Sequence, residues 1–151
     1  MIRTRCKGKC GDVECAEAEY QWRMENMEQP YVPIVIIESP YAGDVEINLK
    51  YLRAAIKDCL LRGEAPFASH GLYTQVLDDN IPEERECGIQ AGFAFREVCD
   101  FTIVYEDLGI SSGMELGIRD SRMKAVPVLY RSLPEWRKED PQLNTVENFL
   151  S

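Results

Sequence analysis

The sequence predicts one α/β domain of three layers, with helices on both faces of a central parallel sheet of about four to five strands. Three observations carry that reading. Ile34-Val-Ile-Ile37 is a run of consecutive branched apolar residues, as expected of a parallel strand covered on both faces. Strand-like and helix-like segments then alternate to Tyr130. The helix after the first strand also has both ends marked, by Asp44 as N-cap and Gly63 as the stop. Together these give a flavodoxin- or Rossmann-like arrangement.

Residues 1–30 are polar, with a short helix around Glu14–Met27, and read as a cysteine-bearing N-terminal appendage to a domain spanning 31–133. Behind the Ser39-Pro-Tyr-Ala-Gly-Asp44 loop, Val45, Leu49, Leu52, Ile56, Cys59 and Leu60 recur at helical spacing. Ala65–Ser69 suits a second strand, followed by a polar loop from His70 to Asn80. Pro82 opens a helix running from Glu83 to Cys99, in which Gly88 and Gly92 permit close approach of a neighbour, and Cys87 and Cys99 read as core or near-core. Phe101–Tyr105 is a third strand, and Ser111 or Ser112 caps a helix through about Met123. In the fourth strand, Ala125–Tyr130, Pro127 argues for an edge or strand-end position. The tail, 134–151, is polar, with a short helix near Thr145–Leu150.

Charge narrows the function. Lys and Arg number 17 against 26 Asp and Glu, a net −9 that repels nucleic-acid polymers and anionic membranes. With no apolar run of spanning length and no apolar leader, the chain reads as soluble and cytoplasmic. The six cysteines read as reduced thiols. Cys6, Cys10 and Cys15 follow C-x3-C-x4-C, and a zinc site there needs a fourth ligand from Cys59, Cys87, Cys99 or His70; a thiol-bearing leader without metal is the favoured reading. No cofactor is expected.

Right-handed crossovers bring the loops after the first three strands to one sheet edge, where open α/β sheets bind ligands. Those loops hold Ser39 to Asp44, Ser69-His70, and Glu106 to Glu115. Ser111, Ser112 and Gly113 sit at a helix N-terminus, which favours a phosphate or carboxylate. Glu115 in the same first turn either complements the helix dipole or serves the ligand. His70, the single histidine, suits a ligand contact or acid–base role; Arg85 suits a phosphate or an ion pair with its glutamate neighbours; Tyr41 suits stacking on a base or packing on the core.

Gly113-Met-Glu-Leu-Gly117 resembles the segment that carries the catalytic glutamate of the nucleoside 2-deoxyribosyltransferases, with Asp107 and Gly109 upstream and Ser39-Pro-Tyr-Ala-Gly43 similar to their first loop. The resemblance spans Ile34 to Tyr130. A second likeness is to small phage and bacterial domains of that superfamily, most without an assigned activity. It rests on Ser39-Pro-Tyr, Asn48, Ser69-His70, Asp78-Asp79, Pro82-Glu-Glu-Arg85 and Ser112-Gly-Met114. The resemblance implies an enzyme that transfers or cleaves an N-glycosidic bond, a 2-deoxyribosyltransferase or a deoxynucleoside monophosphate N-glycosidase. Glu115 would be the nucleophile, with Asp107 and His70 in catalytic roles. Ser39, Tyr41, Gly43, Arg85, Ser111, Ser112, Gly113 and Met114 would bind a nucleoside or nucleotide. It also implies a homo-oligomer. The sequence departs from the transferases at Gly92, where they carry the aspartate that protonates the leaving base, so Asp107, Asp79 or Glu84 would have to supply that proton. That departure favours the alternative, a non-catalytic domain that sequesters or senses a nucleotide or nucleotide-derived signal. A small interaction domain alike only in fold is the third reading.

Overall fold

In the computed structural model, which describes residues 13–136, the elements are α1 (Val13–Asn26), β1 (Ile34–Glu38), α2 (Val45–Leu61), β2 (Ala65–Phe67), α3 (Ser69–Leu72), α4 (Pro82–Phe95), β3 (Phe101–Tyr105), α5 (Ser112–Met123) and β4 (Val128–Arg131). Short 3-10 turns cover Tyr73–Gln75 and Pro134–Trp136. The four strands form one sheet in the order β2-β1-β3-β4, every pair parallel. The expected three-layer α/β architecture is therefore present, with four strands. No described helix is long and apolar enough to cross a membrane.

Strand periodicity of two assigns the faces. Val35 and Ile37 of β1 and Phe101, Ile103 and Tyr105 of β3 join Tyr51, Leu52, Ala55 and Cys59 of α2 in the larger apolar cluster. Val104, one step out of phase, packs with Met114 and Ile118 of α5 on the opposite face. Glu38 shares its parity with Ile36 and Val104, so the last side chain of β1 turns toward α4 and α5. That one fact determines the floor of the site.

The segment expected to be an appendage contributes to the core. Ala16 and Tyr20 of α1 are buried, and Tyr20 meets Phe101 edge-on with ring centroids 5.3 Å apart. At the other end Leu133 is buried, and Trp136 lies 5.1 Å from Tyr51, ring to ring. The tail helix expected near Thr145–Leu150 falls outside the described residues, as do Cys6 and Cys10.

Local signals hold where they were strong. Asp44 caps α2 by accepting from the Ile47 amide at 3.2 Å, and Gly63 stands at φ +80° just beyond its end. Of the two candidate caps for α5, Ser111 is the one used, accepting from Met114 N at 3.3 Å. β4 is an edge strand, and Pro127 stands just before its first residue, a position that proline tolerates. β2 is shorter than expected, because Ser69 already begins α3, and Pro66 sits at its centre. Of the stretch expected to be a polar loop, His70 to Asn80, residues 70–75 instead belong to α3 and a 3-10 turn, while 76–80 are loop. Cys87, expected near the core, is exposed, because α4 turns Gly88, Gly92 and Arg96 inward instead.

Candidate functional site

With β2 reached from β1 on one side and β3 lying on the other, the strand order reverses between β1 and β3. Parallel sheets open a crevice at such a point. A cavity of about 160 Å³ lies there, walled by the loop after β1, by α3, by the inner face of α4 and by the first turns of α5.

Each wall is held by its own local chemistry. Asn48 of α2 donates to the carbonyls of Tyr41 and Ala42 at 2.9 and 3.1 Å, fixing the loop after β1. Glu84 accepts from the Asp78 amide at 2.5 Å, and Arg85 lies 3.7 Å from Asp79, so the first turn of α4 anchors the loop before it. Gly92 is buried because Ser69 occupies its side-chain space: a Cβ there would come within 2.8 Å of the Ser69 hydroxyl. An acidic side chain at position 92 would therefore have to displace Ser69.

Ser39 Oγ and His70 Nε2 share a hydrogen bond of 2.7 Å, and both line the cavity. Burial lowers the His70 pKa to about 4, so the imidazole is neutral at pH 7. The unfolded chain protonates this ring near pH 6.5 and the folded chain only near 4. Its contribution to stability is therefore complete above about pH 6.5 and is lost as pH falls toward 4. We expect thermal unfolding between pH 7 and 4 to show a steeper acid loss for wild type than for His70→Gln; parallel curves would show that His70 is not protected from protons.

The floor is a buried charge network. Arg96, at the end of α4, has 2% of its side chain exposed; its Nη2 donates to Glu38 Oε1 at 2.7 Å, its Nη1 to Thr102 Oγ1 at 3.1 Å and its Nε to Asp120 Oδ2 at 3.3 Å. Lys124 completes the charge balance on Asp120 at 3.2 Å. Burial raises the pKa of Glu38, with Arg96 opposing. Gly117 lets the carboxyl group lie against α5, since a Cβ there would overlap it. Gly117→Ala gains about 1 kcal/mol of helix propensity and incurs overpacking of about 1–3 kcal/mol together with a disturbed ion pair. We expect a net loss in urea unfolding, and a variant as stable as wild type would show that Glu38 swings aside freely.

Most of the expected ligand set converges. Ser39, Tyr41, His70, Arg85, Ser111, Ser112, Gly113 and Met114 line the cavity, as do Asp79 and Glu84. Three expected residues do not. Gly43 stands in the loop at φ +98° with open space around it. Glu115 is exposed on the first turn of α5, between the lining residues Met114 and Leu116 but outside the lining itself. Asp107 accepts from Tyr51 Oη at 2.6 Å, from the Leu133 amide at 2.7 Å and from the Ser132 hydroxyl, so it ties α2 to the segment after β4 and has no free oxygen for a ligand's proton. Glu38 and Arg96 were not singled out by sequence, although a lone acid ending an apolar strand in phase with Ile36 was a readable signal. Among the described residues no group of three or more His, Cys, Asp or Glu could hold a metal ion.

Comparison with known proteins agrees with this frame. No curated protein matches. Among solved structures the chain is similar to a 2-deoxyribosyltransferase from the psychrotolerant bacterium Bacillus psychrosaccharolyticus, with TM-score 0.52 and 16% identity over 66% of this chain and 72% of that one. At that identity the likeness is one of fold. A family model, described as a domain of unknown function, DUF7768, matches residues 33–131, which run from just before β1 to the end of β4 and contain every residue that lines the cavity. The chain belongs to the DUF7768 family.

Proposed function

We propose that the chain binds a nucleoside or nucleotide in this cavity and transfers or cleaves its N-glycosidic bond, as a 2-deoxyribosyltransferase or a deoxynucleoside monophosphate N-glycosidase. The observation that carries the reading is the convergence of Ser39, His70 and the Ser111–Gly113 end of α5 on one cavity at the reversal of strand order. A fold shared with a 2-deoxyribosyltransferase supports it, as does the Gly113-Met-Glu-Leu-Gly117 segment.

In this reading Glu115 attacks the anomeric carbon, the C–N bond breaks with its electron pair passing to the base, and a glycosyl ester forms. The departing base takes a proton from Asp79 or Glu84, the two acids that line the cavity beside Arg85. Water or a second base then displaces the ester. Because Glu115 stands outside the lining, the sugar must sit at the rim, over Ser112 and Gly113, with the rest of the ligand inside. A second copy of the chain would close that rim in a homo-oligomer.

Binding without catalysis is the second reading, and the exposed position of Glu115 and the glycine at 92 favour it. The test is release of free base from a panel of nucleosides and deoxynucleoside monophosphates, read by chromatography beside ligand-dependent thermal stabilisation. Release that disappears in Glu115→Ala supports the enzyme. Stabilisation without release selects the binding domain, and neither signal rejects both.

A further inference from the structure

The floor of the cavity carries an acceptor that the fold leaves open. Glu38 lines the cavity with 13% of its side chain exposed. Its Oε1 is taken by Arg96 at 2.7 Å, while Oε2 has no hydrogen-bond donor among the described residues. Oε2 is also not sealed in the interior, where, among the described residues, the buried side-chain polar atom without a partner is Tyr31 Oη. The carboxyl group is held from three sides: by the strand end of β1, by Arg96 from α4, and by the bare backbone of Gly117 in α5. Arg96 is itself fixed by Thr102 and Asp120. A rigid acceptor on packed elements is what a recognition group needs. Burial has removed much of the water that would otherwise solvate this carboxylate, so a donor brought by a ligand adds an interaction that the described residues do not themselves supply.

We propose that Glu38 is the specificity-determining residue of the cavity, and that its Oε2 accepts a hydrogen bond from an N–H or O–H donor of the bound nucleoside. This rests on the nucleoside reading above and deepens it. The donor is the exocyclic amino group of the base where the sugar sits at the rim beside Glu115, or a sugar hydroxyl where the ligand is bound the other way round, without catalysis by Glu115. The two present the same chemistry to a carboxylate and differ only in which end of the ligand reaches the floor.

The network also predicts what a conservative change does. In Glu38→Gln the amide carbonyl must turn to the Arg96 donor, which leaves the NH2 group facing the cavity. The floor then offers donors where it offered an acceptor, and the preference among ligands reverses.

The experiment is calorimetric affinity of the full chain for ligand pairs that differ in whether a donor stands at a given position: the 4-amino group of cytidine against O4 of uridine, whose own N–H lies one atom away at N3; the 2-amino group of guanosine against inosine; and the 2′-hydroxyl of cytidine against 2′-deoxycytidine. Wild type is expected to favour the donor-bearing member of at least one pair by about tenfold or more. Base pairs and the sugar pair separate the two sources of the donor. Glu38→Gln is expected to lose that preference, and to favour uridine over cytidine where the base is the part read. A purely structural Glu38 would lower affinity for all ligands alike and reverse nothing. Wild-type measurements stand even if the variant fails to fold, and nucleosides that bind with no pair separated by more than about twofold overturn the proposal alone. Failure of every nucleoside and nucleotide to bind wild type would instead reject the nucleoside reading itself.

Discussion

Arg96→Met is expected to lower the free energy of unfolding by about 3–5 kcal/mol, because it breaks a buried ion pair from one side. Methionine fills much of the same volume, so packing contributes little to the loss. What remains is two carboxylates, Glu38 and Asp120, of which only Asp120 keeps a cation, and a Thr102 hydroxyl that falls back on its partnership with Ser121 at 2.8 Å. Domains of this size have about 5–15 kcal/mol in total, so the variant stands near the edge of folding. Urea unfolding gives the midpoint. The double change Arg96→Met with Glu38→Met should lose less than the sum of its singles, since the second change removes the stranded charge. A single-variant loss under about 1 kcal/mol would mean that the network is solvated well enough to do without its arginine.

Glu115→Ala separates stability from chemistry. The side chain is exposed at the start of α5, so its removal deletes only a favourable dipole interaction of about 0.3–1 kcal/mol. As the nucleophile of the proposed reaction its loss should reduce base release by about 10³-fold or more, worth about 4 kcal/mol of transition-state stabilisation. Catalysis would thus fall by several times what the fold loses. Single-turnover base release and urea unfolding on the same preparations check both halves. Retained turnover would move the nucleophile to another acid, with Glu38, Asp79 and Glu84 the ones among the described residues that line the cavity.

What could be read from sequence divides by how far apart the causes lie. Ile34 to Ile37, the Asp44 cap and the Ser111 terminus were legible because their signals act within a turn or a strand. The convergence of Ser39, His70 and Ser112 was legible one level up, since parallel topology alone brings post-strand loops together. α3 was missed because a helix of four residues shows no period. α1 hid its core role because Ala16 and Tyr20 are the buried residues along it among those described. Glu38 and Arg96 stand 58 residues apart, and a charged residue gives no sign in sequence that its partner is another buried charge. Asp107 read as chemistry because it follows a strand in an acidic loop, whereas its duties come from Tyr51 and Ser132, both distant in the chain.

Pro66 has a consequence for how far the sheet can grow. The Ala65 amide donates inward to the Pro33 carbonyl at 2.8 Å, and alternation along the strand then turns the nitrogen of residue 66 outward. That nitrogen carries no hydrogen. The free margin of this three-residue strand therefore has no amide to offer, and neither a second molecule nor an extended peptide can be zipped onto it as a fifth strand. What this margin of the strand offers a neighbour's main chain is the Pro66 carbonyl, a single acceptor.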